Sequence, residues 1–567
     1  MGTSRKVAIC LIIIFLPLAA LQAQFQFQTV IDKKLGSGMG YRKVVEKTQP
    51  WSIDVLEADL TDPNLLIESV KGLEVLTQPA PLNSREITSK MAARSNRSGH
   101  RVVAAINADF FEKSGEPVNM QVEKGEIVHM PILRSLFGVT PDNKPLLDIV
   151  DLNAWIKMDT AKAVINAVNA VRVRDFLVLY NHFYGSSTGT NEWGTEAQLT
   201  PLDAWMVNDT VRCSVDSIVH RIGNLKIPAG RVVLSAHGVA EEFIAAHLRI
   251  RDTVQVCLGV CSLTDKIKEL VGGMPRLVRG GQSCVAQSVA EEGGANMAYV
   301  RHPRTAVGFN QDSTRLFLVV VDGRQPALSN GMTFPELADF LMSLGVYEGV
   351  NLDGGGSSTM VVRDQVVNSP SDGKERAVAN ALMMISIAPD GPADSLEINP
   401  RRLRILQGSG CTFRIRPLDS HYHYLDVDSS RVVCHVDPRL GQVSSAGLFI
   451  AGTARDSGFV IFGYDAVRDS AFITIKTLEK MTIFPKQTKP DTSQTVAFRV
   501  ETLDSDGGTQ PPACEWFSTN PEVGTVSSSG LFTPRHSGET RIIVRACGLS
   551  DTARVTVGHG GSVPDGL

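Results

Sequence analysis

Apolar residues follow three different rhythms along the chain. First comes an apolar run, Val7 to Leu21, preceded by Arg5 and Lys6, with small residues at Ala19, Ala20 and Ala23 near its end as cleavage points. This is the layout of a secretory signal peptide cleaved near Gln24, and the run is shorter than the roughly 20 residues that span a bilayer. The second rhythm occupies residues 100–388, where short β-branched runs meet one helical pattern. Arg101-Val-Val-Ala-Ala-Ile106 and Arg315-Leu-Phe-Leu-Val-Val-Val321 read as buried strands. Thr333 and Glu336 make a capping-box pattern, Phe334, Leu337, Ala338, Leu341 and Leu344 recur at helical spacing, and Gly345 supplies a stop. A second strand, Gly349-Val-Asn-Leu352, follows. In the third rhythm apolar and polar residues alternate in short runs, such as Phe472-Ile-Thr-Ile-Lys476 and Arg541-Ile-Ile-Val-Arg545, with Gly, Ser, Asp and Pro turns between.

The alternating region repeats. Gly441-Gln-Val-Ser-Ser-Ala-Gly-Leu-Phe449 returns 83 residues later as Gly524-Thr-Val-Ser-Ser-Ser-Gly-Leu-Phe532. Two copies of one small β-sandwich, residues 393–476 and 478–558, are therefore expected. They resemble the bacterial immunoglobulin-like (Big) modules of surface proteins, which implies a spacer role or contact with a surface glycan. The turn-rich linker Ala388-Pro-Asp-Gly-Pro392 separates them from the larger unit, residues 24–389.

For that larger unit the strand, helix and strand around 315–352 imply a crossover between parallel strands in a mixed α/β (α+β) catalytic domain. If the two strands share a sheet, Asp322 and Asp353 stand together at its carboxyl edge, where open α/β sheets place their sites. The strand from Arg101 delivers Asn107 and Asp109 toward the same edge.

Length and composition narrow the possibilities. The 567 residues exceed what one hydrophobic core holds. A formal net charge of -4, with 20% charged residues, gives no global basic excess for nucleic acid. Nothing beyond the N-terminal run is apolar enough to cross a membrane, so a secreted, periplasmic or cell-surface location is expected. Eight cysteines follow the leader; Cys411 with Cys434 and Cys514 with Cys547 are candidate disulfides of an oxidising compartment. Cys257 and Cys261 have no second Cys or His pair at zinc spacing and read as buried thiols or disulfide partners.

The chemistry collects in a few short strings: Asn107-Ala-Asp-Phe-Phe111, Arg304-Thr-Ala-Val-Gly308, Val321-Asp-Gly323, Asn351-Leu-Asp-Gly-Gly-Gly-Ser357, and Pro370-Ser-Asp372 followed by Arg376. In that order they resemble the motifs of the phosphodiester glycosidase family, over roughly residues 100–388. The resemblance implies hydrolysis of the glycosidic C–O bond of a sugar-1-phosphodiester or phosphoglycan of the N-acetylglucosamine-phosphodiester type. Its products are a sugar and a phosphomonoester, and no cofactor or metal is implied. Ala108-Asp109 stands where the family often has two glycines, so Asp109 is not carried over as catalytic.

Reaction at an anomeric carbon passes through an oxocarbenium-like state, which a carboxylate stabilises, attacks or supplies with water. Asp353 is the first choice, Asp322 the second. Glu196, in the Gly/Ser/Thr/Asn-rich segment from Tyr180, is a weaker candidate. A leaving phosphate needs positive charge more than a proton, a role suited to Arg304 and Arg376. Gly354, Gly355 and Gly356 permit a sharp turn with amides aimed at phosphate oxygens, and Ser357 adds a hydroxyl. Asn107, Thr305 and Asn351 complete the expected substrate-binding set. Val271-Gly-Gly-Met-Pro-Arg-Leu-Val-Arg-Gly-Gly281 reads as a shaping loop, since no lysine follows its glycines as in a phosphate-binding loop.

Two other functions compete. A metal-dependent phosphodiesterase acting at phosphorus requires His and Asp clusters, whereas His129, His182, His220 and His302 are isolated in the sequence. A non-catalytic surface glycan-binding protein is suggested by the C-terminal repeats but has no use for polar motifs gathered at strand ends.

Overall fold

The computed structural model describes residues 26–76 and 84–558. The expected signal peptide and its cleavage point lie outside the described residues. No helix among the described residues is long and apolar enough to cross a membrane. The chain divides into two compact units, residues 1–388 and 389–567.

The mixed α/β expectation is overturned: the described residues are mostly strand, 49%, with 9% helix. A strand at Arg315–Val321, a helix at Phe334–Ser343 and a strand at Glu348–Asn351 do form. The two strands run parallel to each other but are not neighbours: Arg304–Phe309 lies between them and pairs antiparallel with both. The eight-stranded sheet containing them runs antiparallel at every pairing, from Gln28–Gly36 to Gln282–Ser283. The continuous apolar runs read as strands buried on both faces. Here an antiparallel sheet is covered on both faces. Leu316, Leu318 and Val320 pack with Ile106, Met360 and Leu382 of a second, five-stranded sheet. Phe317, Val319 and Val321 pack with Phe334, Leu337 and Leu341 of the helix.

That helix is specified locally. Thr333 Oγ1 accepts from the amide of Glu336, and the Glu336 carboxylate accepts from the amide of Thr333 at 2.9 Å, so both halves of the capping box are present. The remaining strands of the first unit form another eight-stranded and another five-stranded sheet around their own core, including Leu136, Ile156, Leu199 and Val256.

In the second unit each copy of the repeat folds into the same set of a two-, a four- and a three-stranded sheet. The repeated string becomes the hairpin Gly441–Val443 with Leu448–Ala451 in one copy and Gly524–Val526 with Leu531–Pro534 in the other. All eight described cysteines are thiols, so neither candidate disulfide is formed. Cys261 is exposed and Cys257 partly buried, against the reading of both as buried thiols or disulfide partners.

Candidate active site

Two sheets of the first unit are stitched together at one edge. Strand Arg101–Asn107 belongs to the five-stranded sheet and strand Glu348–Asn351 to the eight-stranded one. Just past their ends the Asp353 amide donates to the Ala108 carbonyl at 2.8 Å, and Asn107 Nδ2 donates to the Asp353 carbonyl at 2.7 Å. Asn107 Oδ1 accepts from Thr305 Oγ1 at 2.9 Å and from the Thr359 amide at 3.0 Å. Fully buried, Asn107 and Thr305 thus act as fasteners between the two sheets.

The stitch brings Asp109 and Asp353 together. Burial pushes the Asp353 carboxyl up to about 7, against the Ser357 hydroxyl, the charge of Arg376 and the Gly354 amide, which favour the ionised form. Burial likewise pushes Asp109 up to about 7; the Asn119 and Phe110 amides oppose this, and the negative charge of Asp353 adds to it. Asp109 is buried, whereas Asp353 is partly exposed. Space around Asp109 is tight: a Cβ on Gly272 would lie 2.4 Å from its Oδ2. The shaping loop at Gly272 therefore shapes the bed of this carboxylate.

Beyond Asp353 the triple glycine turns, with Gly355–Ser357 as a short 3-10 segment. Its amides are largely committed to the turn, since Gly355 donates to Pro303, Ser357 to Gly354 and Ser358 to Gly355. The expected row of amides facing an anion is thus not available as a set. Two guanidinium groups lie beside the turn. Arg376 donates to Asp372 Oδ2 from Nη2 and Nε, at 2.7 and 3.0 Å, and reaches Ser357 Oγ from Nη1 at 3.4 Å. Arg324 is exposed, with Nη2 3.0 Å from where a Cβ on Gly355 would sit and 3.4 Å from His302 Nδ1. A Cβ at 356 would fall 2.0 Å from Arg376 Nη2 and 2.3 Å from Asp372 Oδ2, so a side chain there would displace the ends of this pair.

Other expected residues lie elsewhere. The Asp322 carboxylate is engaged by other groups: it accepts from Ser52 Oγ at 2.9 Å, the Ser369 amide at 2.8 Å and Asn368 Nδ2 at 3.2 Å. It fastens two loops to strand Trp51–Asp59. Arg304 is buried, stacks 4.2 Å over the Phe334 ring, and donates to the carbonyls of Met332, Met297 and Val300 at 2.7–2.8 Å. Its Nε and Nη2 groups are thus engaged by main-chain acceptors. Glu196 sits on strand Thr195–Pro201 of the other eight-stranded sheet, accepting from Thr190, Ser235 and the Leu225 amide at 2.8–2.9 Å. Asn351 donates to the Met274 carbonyl at 2.7 Å and supports the shaping loop. Sequence reasoning set Asp109 aside and passed over Arg324; the signal for the latter was its place directly after Val321-Asp-Gly323.

Comparison with known proteins bears on this region. Residues 216–385 match the phosphodiester glycosidase family. The match takes in Arg304, Asp322, Asp353 and Arg376 but begins after Asp109 and Glu196. The chain is 41% identical over 96 residues to the SPbeta prophage-derived uncharacterized protein YomE of Bacillus subtilis (strain 168), covering 17% of this chain and 14% of that protein. Over 165 residues it is 31% identical to N-acetylglucosamine-1-phosphodiester alpha-N-acetylglucosaminidase of Bos taurus, covering 27% of this chain and 30% of that enzyme. The chain thus matches less than a third of the length of these curated relatives. Among solved structures it is similar to a hypothetical protein from Synechocystis, with a TM-score of 0.46 and 17% identity over 62% of each chain.

Proposed function

We propose that the first unit is a phosphodiester glycosidase, hydrolysing the bond between an anomeric carbon and the phosphate oxygen of a sugar-1-phosphodiester. The observation that carries this reading is the Asp109–Asp353 pair, titrating near neutrality beside a glycine turn flanked by two arginines. Like charges in a buried setting resist double ionisation, so near pH 7 the pair holds roughly one proton between two carboxyls. Asp353, the partly exposed member, is the one that meets substrate. Its ionised form stabilises the oxocarbenium-like state or delivers water to the anomeric carbon, and burial raises its proton affinity.

The leaving group explains the arginines. A phosphate monoester departs as an anion of low basicity, so it asks little of a general acid and much of neighbouring positive charge. Arg376, pre-oriented by Asp372, and Arg324, on the other side of the turn, supply that charge. The C–O bond breaks, water oxygen joins the anomeric carbon, and the phosphomonoester leaves with both electrons of the broken bond. The N-acetylglucosamine type of substrate is the reading suggested by the matched relatives.

Export fits the basic pair and apolar run at the N-terminus, and the two β units after Pro389 fit spacers, or glycan contacts, on a bacterial surface. The reading is tested by incubating the purified protein with sugar-1-phosphodiesters and identifying both products by mass spectrometry. Free sugar with an intact phosphomonoester is expected; turnover of none of a broad panel would overturn the assignment.

A further inference from the structure

The second unit holds a cluster that the proposed reaction does not use. Asp419, Asp390 and His423 each aim one ligand atom at a common point, the three atoms lying within 4.8 Å of one another. His423 Nδ1 is 3.2 Å from Asp419 Oδ2 and 3.6 Å from Asp390 Oδ1. The side chains of Asp419 and His423 are 0% and 2% exposed, and that of Asp390 is 49% exposed.

The local fold fixes this arrangement. Asp419 Oδ1 accepts from the amides of His421 and His423, both at 2.9 Å, so the carboxylate is locked over its own turn. Its Oδ2 accepts from the Gly391 amide at 3.1 Å, which draws the chain just after Ala388 against the same turn and carries Asp390 in. Tyr422, at φ 63°, lets the turn bring His423 back beside Asp419.

We infer that Asp390, Asp419 and His423 bind a divalent cation of the zinc class. A tetrahedral cation with bonds of about 2.0–2.1 Å holds its ligand atoms about 3.3–3.4 Å apart, and the two imidazole–carboxylate separations bracket that value. Two carboxylates and one imidazole form a hard-to-borderline donor set that suits zinc better than magnesium, which prefers all-oxygen octahedra at 2.0–2.1 Å. Three protein ligands leave a fourth position for water on the open side of Asp390. Amides already holding Asp419 serve as the outer shell that orients a ligand. The ion would clamp the start of the second unit onto its first β-sheet set, a structural role separate from hydrolysis.

The experiment uses the full-length protein, stripped with a chelator, dialysed, and titrated with zinc chloride by calorimetry, with bound metal then counted by mass spectrometry. One zinc per chain is expected, not displaced by millimolar magnesium, with affinity falling by about 10-fold or more in His423→Ala and in Asp390→Asn. Asp390 is half exposed, so its variant keeps the test valid if the buried His423 variant fails to fold. Absence of saturable zinc binding in the wild type, or binding equally tight in Asp390→Asn and a folded His423→Ala, would overturn the site and leave an imidazole–carboxylate ion pair in its place.

Discussion

Replacing Asp353 by asparagine separates the two consequences of a carboxyl whose proton affinity has been raised. In an unfolded chain its pKa is near 3.8, and in the fold it is about 7. The native state therefore holds this proton more tightly than the unfolded state does. The sign follows: the proton favours the fold below about pH 4, that contribution fades as pH rises through about 7, and above it the ionised carboxylate is a standing cost. About three pH units at 1.36 kcal/mol each gives roughly 4 kcal/mol, and screening at the partly exposed face brings this to about 2–4 kcal/mol. Asparagine cannot ionise and removes that cost, but it weakens the bonds from Ser357 and Gly354 by about 1 kcal/mol at every pH. Urea denaturation, followed by tryptophan fluorescence, should find Asp353→Asn about as stable as wild type at about pH 4.5 and more stable at about pH 8. Four of the five tryptophans lie in the first unit and dominate that signal. Turnover of the folded variant should fall by more than about 100-fold. A stability difference that stays constant or shrinks with rising pH would refute the placement of Asp353 in a buried pair, and near-normal turnover would remove it from the mechanism.

Arg324→Ala and Arg376→Ala should each lower kcat/KM by about 10–100-fold, the worth of a charge-assisted bond to phosphate, and less on substrates with better leaving groups; unchanged kinetics in both would leave the leaving group without a cradle. Gly356→Ala should fold yet lose most activity, because its Cβ displaces the Arg376–Asp372 pair; full activity would show that this pairing is dispensable. Glu196→Gln should keep activity on small substrates while lowering stability by about 1–3 kcal/mol, since its carboxylate is committed to Thr190, Ser235 and Leu225; loss of turnover at unchanged stability would return it to the site.

Local signals in the sequence were legible and long-range pairing was not. The Thr333 capping box, the strand at 315–321 and the repeated hairpin at 441 and 524 are written in consecutive residues, and the fold contains each of them. Strand neighbours are not written that way. Nothing local to 315–352 says that Arg304–Phe309 inserts between its two strands, which run parallel but are joined in the sheet only through it. The same gap decided the carboxylate pairing. Asp322 and Asp353 looked equivalent as Asp-Gly strand ends, yet Ser52, Asn368 and Ser369 engage Asp322 from distant segments. Asp109 reaches Asp353 only because Asn107 bonds across to a second sheet. Arg304 is a related case: an arginine in a polar motif suggests an anion, but burial surrounds it with carbonyls that engage its Nε and Nη2 groups.

The bond that breaks is the central claim, and a single-turnover reaction in water carrying a heavy oxygen isotope reads it directly. Attack at the anomeric carbon, assisted by Asp353, puts the label in the released sugar and leaves the phosphomonoester unlabelled. Label in the phosphomonoester during that first turnover, with none in the sugar, would mean attack at phosphorus and would contradict the account.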